Sequence, residues 1–153
     1  MKKAVIVCLL LTVCFTVVGC DRAVSTEAML RDFLNAYGIE GTVYSSQKKM
    51  HEDGYLSSEL LEAIYVIGGG LPDNFALCLN ERSAKGFETG FFLCESAVQR
   101  EEIVEMCRER ISLLTENGEQ GLLMRSGYLV FYTTARDKDK AESVFTKIIK
   151  LHY

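Results

Sequence analysis

Residues Ala4 to Val18 form a run of fifteen without a charge, and this run divides the chain before any fold can be considered. Lys2 and Lys3 precede it, and Gly19, Cys20 and the charged pair Asp21 and Arg22 follow it. A basic start, an apolar core of about 7 to 15 residues and a small residue at the exit is the layout of a secretory signal peptide. A membrane-spanning helix needs about 20 apolar residues, more than this run supplies. Residues 1–19 are therefore expected to be a signal peptide that is removed, and the fold is to be sought in the remainder.

Within that layout, Val17-Val18-Gly19-Cys20 resembles the lipobox of bacterial lipoproteins, in which a small residue precedes an obligatory cysteine. The resemblance implies cleavage between Gly19 and Cys20 and a diacylglyceryl group on Cys20 through a thioether, with a further acyl chain of the palmitate type. Each buried methylene contributes about 0.8 kcal/mol, so one chain binds reversibly and two hold stably. In this role Cys20 is an anchor, and the protein is expected on the extracytoplasmic face of the cell membrane. The alternative is that residues 4–19 stay attached as a short signal anchor and Cys20 is an ordinary interfacial cysteine.

Removing Lys2 and Lys3 with the leader takes the formal charge from −4 to −6. An acidic domain of this size is poorly matched to phosphate backbones, so nucleic acid is not an expected partner. Loss of Cys8 and Cys14 leaves Cys20 and three others, Cys78, Cys94 and Cys107. Three cysteines do not make an even disulfide framework. The candidate bridge joins Cys78 and Cys94, which fall in consecutive strand patterns, with a hairpin turn near Lys85-Gly86-Phe87. The competing reading, that they are small buried hydrophobes, fits the usual placement of free cysteine.

The remaining 134 or so residues suffice for one compact domain, expected over 26–153 behind a lipidated cysteine and short tether at 20–25. That tether reaches at most ~18 Å, which keeps the domain near the membrane surface. Leu30, Phe33, Leu34 and Tyr37 share a helical face over 26–37, behind caps at Ser25 and Thr26 and before Gly38. "SELLEAIYVI", 58–67, is a second helical pattern after a serine cap, and it stops at Gly68-Gly69-Gly70. "FALCLN", 75–80, and "ETGFFLCE", 88–95, read as strands. Ser96 and Gln99 form a capping-box pair opening a helix with Ile103, Met106, Cys107, Ile111 and Leu114 inward, ended by Asn117-Gly118. "YLVFYTTA", 128–135, is a strand, and Asp137 caps a last helix with Ala141, Val144, Phe145 and Ile148 inward.

"GTVYSS", 41–46, reads as a strand or as a loop. With it the order from there is βαββαβ, the ferredoxin-like or split βαβ pattern; without it three strands remain. Either way the class is α+β, a single small domain with an antiparallel or mixed sheet of three or four strands and helices on one face.

From "ETGFFLCESAVQREEIVEMCRERISLL" through "RSGYLVFYTTARDKDKAESVFTKII" the chain resembles a family of small uncharacterised lipoproteins of clostridia and their relatives, a domain of unknown function. Arg110, Gly127, Tyr128, Phe131, Ala141 and Phe145 fall at corresponding places. The match covers about the C-terminal half. It implies fold and location and no particular activity.

Among residues that could carry chemistry, Gly68-Gly69-Gly70 follows a helix instead of opening one, so it reads as a stop and not as a phosphate loop. His51 and His152 are the two histidines, and neither has a second ligand at metal spacing, so no metal or other cofactor is expected beyond the lipid on Cys20. A thiol nucleophile would need one of the three cysteines beside a histidine, which nothing in the pattern demands. Glu101 and Glu102 read as ordinary first-turn acids. The tyrosines Tyr44, Tyr65, Tyr128 and Tyr132 lie in helical or strand patterns, where packing is the usual role. "SQKKMHEDG", 46–54, reads as a charged loop, solvated or in contact with a partner.

These observations favour a lipid-anchored binding domain for a neighbouring envelope protein, without catalytic residues. Capture of a small ligand or peptide is the alternative, and it requires a pocket ringed by Tyr44, Tyr55 and acidic residues. An enzyme with an active site not announced by any motif is the third class.

Overall fold

The computed structural model of the chain describes residues 24–65, 70–80, 87–115 and 121–153. The leader, the lipobox, Gly68-Gly69, Lys85-Gly86 and Asn117-Gly118 lie outside the described residues. Among the described residues there are four helices: α1 (Thr26–Tyr37), α2 (Ser58–Ile64), α3 (Ala97–Leu114) and α4 (Lys138–His152). Five strands form one sheet: β1 (Thr42–Ser45), β2 (Asn74–Asn80), β3 (Phe87–Leu93), β4 (Leu122–Ser126) and β5 (Leu129–Thr133). Their spatial order is β1-β2-β3-β5-β4, with every neighbouring pair antiparallel. The domain is α+β.

The helices begin where polar side chains can satisfy their free N–H groups. Ser25, Ser57, Ser96 and Asp137 accept from the backbone N–H groups of Ala28, Leu60, Gln99 and Lys140 respectively. Gln99 reaches back to accept from the Glu95 N–H at 2.9 Å, completing the box one residue earlier than the usual pattern. Gly38 ends α1 in the left-handed region, at φ 85°, and its N–H bonds the Leu34 carbonyl.

The sheet is covered on both faces, not on one as the sequence suggested. Met29, Leu30, Phe33 and Leu34 of α1 join Ala141, Val144, Phe145 and Ile148 of α4 over Cys78, Phe91 and Phe131. On the other face Leu61 of α2 and Ile103, Val104, Met106, Cys107 and Ile111 of α3 cover Leu77, Phe92, Val130 and Tyr132. Successive strand residues point to opposite faces, so Leu77/Cys78, Phe91/Phe92 and Val130/Phe131 each supply both layers. That is why the strands read as continuous apolar runs. Two-sided burial removes the polar alternation a half-exposed sheet would show.

The strand count and order also differ from expectation. Thr42–Ser45 is a strand, and a fifth, β4, precedes β5. β4 carries no alternation signal because Leu122 and Met124 pack against one apolar layer and Leu123 against the other. The order is not ferredoxin-like: a split βαβ unit would set its two strands parallel around a third, whereas β1 lies directly beside β2 and antiparallel to it. β4 and β5 form a hairpin through Gly127-Tyr128, with Gly127 at φ 56° in the first turn position, where glycine is favoured.

Phe131 is the centre of the first layer, with its ring centroid 4.8 Å from Phe91 and 4.9 Å from both Phe33 and Phe145. Truncation there leaves a cavity shared by α1, β3 and α4. Phe131→Ala is expected to lower the unfolding free energy by about 3–5 kcal/mol in urea denaturation; a loss below about 1 kcal/mol would contradict this packing.

Candidate functional site

A cleft of about 500 Å³ opens between the segment that follows β1, helix α2 and the segment that enters β2. Its floor is built from Leu61 and Phe75, both buried, and its walls from Ser46 and Lys48, Tyr55 and Leu56, and Leu71 to Asp73. Glu62 on α2 and Asp73 before β2 bring carboxylates to it.

Local hydrogen bonds hold these walls. The Ser45 N–H donates to the Gly54 carbonyl at 3.1 Å, folding the 46–54 loop back along the edge of β1. A side chain at Gly54 would meet the Val43 carbonyl oxygen at 2.1 Å, so only glycine permits this approach. The Ser46 N–H donates to the Phe75 carbonyl, and the Phe75 N–H returns to the Ser46 hydroxyl, each at 3.1 Å. Within the loop, Glu52 accepts the Lys49 N–H and donates its own N–H to the Lys49 carbonyl. His51 takes a left-handed φ of 79° at this bend.

Beneath α2 lies a buried polar network. Glu88 of β3, 6% exposed, meets Arg110 of α3 through both oxygens: Arg110 Nε donates to Oε2 at 2.8 Å and Nη2 donates to Oε1. The Tyr132 hydroxyl donates to Glu88 Oε2 at 3.2 Å and stands 2.5 Å from the Tyr65 hydroxyl. A carboxylate only accepts, so Tyr132 gives its proton to Glu88 and Tyr65 gives its own to Tyr132. Arg110 also donates to the Ile64 carbonyl at the end of α2, and its guanidinium lies 5.6 Å from the centre of the Tyr65 ring.

The network sets protonation states. Burial, then the charge of Glu88, raises the Tyr65 phenol well above its ordinary value, and burial does the same to Tyr132. The hydrogen bond to Glu88 raises Arg110. Burial pushes Cys78 and Cys94 up to about 11 and Cys107 well above the ordinary thiol range. At neutral pH these thiols are protonated, hence weak nucleophiles.

The candidate bridge between Cys78 and Cys94 is not made. Cys78 faces the α1/α4 layer opposite Thr89, while Cys94 faces the α2/α3 layer beyond the end of β3, and all three described cysteines are free. His51 is exposed in the loop, and His152 bonds Asp32 at 2.7 Å on the outer side of α1 and α4, so neither adjoins the cysteine layers. Among the described residues, no group of three or more His, Cys, Asp or Glu side chains could hold a metal ion, and no helix is long and apolar enough to cross a membrane. Tyr55 lines the cleft, Tyr44 packs against the α2/α3 layer, and Tyr65 and Tyr132 belong to the network.

Sequence reasoning missed Glu62 and Asp73 in the cleft and Glu88 with Arg110 beneath it. A signal for the pair was present. Arg110 stands three residues after Cys107 and seven after Ile103, on the buried stripe of α3, so a burial-compatible partner was required. No family model, curated protein or solved structure matches the chain.

Arg110→Met would leave the Glu88 carboxylate buried without its counter-charge, at an expected cost of about 3–5 kcal/mol in urea denaturation, whereas Glu88→Leu with Arg110→Met should cost less than either single change. A double variant that costs as much as the larger single change, or more, would contradict this reading. A second expectation concerns alkaline pH. The folded state holds the Cys78 and Cys94 protons up to about 11, while the unfolded chain releases them near the ordinary 9.0. Stability is then intact below pH 9 and declines as pH rises toward 11, with the raised Tyr65 and Tyr132 adding to the loss above pH 10. Thermal melts followed by circular dichroism should show Tm falling across that window; a flat Tm to pH 11 would contradict it.

Proposed function

We propose that this protein is a lipid-anchored lipoprotein of the extracytoplasmic face of the cell membrane, and that its domain is a binding module which engages a neighbouring envelope protein through the cleft. The observation that carries the reading is the position of the cleft relative to the chain's entry into the domain. Asn74 Nδ2 donates to the Val24 carbonyl at 2.9 Å and the Thr26 hydroxyl donates to Asn74 Oδ1 at 2.7 Å, so the start of the domain is fastened to the residue between Asp73 and Phe75 of the cleft. Glu27 in the first turn of α1 pairs with Lys48 of the cleft wall at 3.5 Å. Burial acts to raise the Glu27 carboxyl, but hydrogen bonds from Arg31 and Ser45 and the charge of Lys48 carry it below its ordinary value, so Glu27 is ionised at neutral pH.

With a lipid on Cys20, a tether of a few residues holds this end of the domain toward the bilayer. The cleft then works beside the membrane surface, where segments of other envelope proteins are presented. Capture of a small ligand or free peptide is the second reading, supported by a volume of about 500 Å³ within the range of small-molecule sites.

The test combines labelling and crosslinking in cells. A palmitate analogue should label the wild-type chain and not Cys20→Ala, and a photo-crosslinker at Tyr55 should capture a discrete partner in wild type that is lost in Cys20→Ala. An unlabelled chain, or the same capture without the anchor, would contradict the proposal.

A further inference from the structure

The cleft has a charge pattern that selects among occupants. Three ionisable side chains of opposite sign line it, Lys48 against Glu62 and Asp73. Lys48 is already engaged by Glu27. Glu62 and Asp73 are exposed and make no hydrogen bond or ion pair with any described residue, so among the described residues the cleft presents two carboxylates without a counter-charge over the apolar floor of Leu61 and Phe75. An anionic ligand would be repelled there. A wholly apolar one would strip water from the carboxylates without replacing it, which is costly. A cation joined to an apolar body satisfies both parts.

Exposed apolar side chains also stand on the segments that wall the cleft. Met50 in the loop and Leu60 on α2 are 65% and 56% exposed, and Tyr55, which lines the cleft, is 38% exposed. A small amine would cover the floor and leave these side chains in water, whereas an extended segment could cover them too.

We propose that the cleft is the docking site for a polypeptide segment in which Lys or Arg stands next to a large aliphatic or aromatic residue, the basic group meeting Glu62 and Asp73 and the apolar side chain resting on Leu61 and Phe75. This rests on the reading of the domain as a binding module and specifies what that module recognises. The acidic balance of the mature chain supports the same choice of partner charge.

The experiment is selection from a displayed random heptapeptide library on the full chain in phosphatidylcholine nanodiscs, with empty nanodiscs for subtraction. Enriched peptides are expected to carry a Lys or Arg adjacent to a large apolar residue. Their affinity should fall about tenfold for the Glu62→Gln/Asp73→Asn double variant and fall with added salt. Both side chains are exposed, so the variant keeps the core intact. Enrichment of peptides without a basic residue, affinity unchanged in the double variant, or no enrichment over empty nanodiscs would overturn the proposal. If the anchor-dependent crosslinked partner persists in that case, the binding-module reading stands and only the recognition chemistry falls; if both fail, both fall.

Discussion

The ion pair between Glu88 and Arg110, with the Tyr65 and Tyr132 hydroxyls, is set against a largely apolar layer, and the position of the α2 side of the domain depends on it. A charge taken out of water must be met by an opposite charge and by hydrogen bonds in good geometry. Glu88 is fixed by the pairing of β3 with its neighbours, so Arg110 fixes the rotation of α3, and the Ile64 carbonyl and Tyr65 ring fix the end of α2. Such a pair adds little net stability compared with a well-packed apolar replacement. What it supplies is a single arrangement, because any shift of α2 leaves a buried donor or charge without its partner.

The cleft follows from that constraint. Helix α2 has seven residues, too few to hold itself together in water, so its place comes from Leu61 and Tyr65 below and the network at its end. With α2 fixed, the loop drawn along β1 by Gly54 and the strand entry clasped by Ser46 complete the walls. The same strand entry holds the start of the domain through Asn74. The cleft and the start of the domain therefore share one part of the molecule, which is the arrangement that the proposed membrane-proximal binding module would require.

Much of the fold was legible because local rules and tertiary structure agree in it. Ser25, Ser96, Asp137 and Gly38 mark helix ends that the structure keeps, and the inward stripes of α1, α3 and α4 are the buried ones except at Tyr37 and Leu114, which are half-buried. The α+β class followed. The second covered face was not legible, because a run such as "GFFL" records burial on both sides without saying what covers each. β4 was hidden for the same reason. The cysteine pairing failed on register: neighbouring strands do not imply neighbouring side chains, and Cys78 and Cys94 differ in both face and height. Glu88 lies 22 residues from Arg110, and Glu62 and Asp73 meet only because α2 and the entry to β2 wall one cleft, so no local spacing announces them. Arg110, on a buried stripe, was the one local clue.

Hydrogen–deuterium exchange on the wild-type chain and on Arg110→Met, read along α2 and along the sheet, tests most directly whether the network positions the cleft wall. The amides of Leu61 to Tyr65 should lose protection in the variant by much more than those of β2, β3 and β5. Unchanged protection in α2, or a uniform loss across helices and sheet alike, would contradict it.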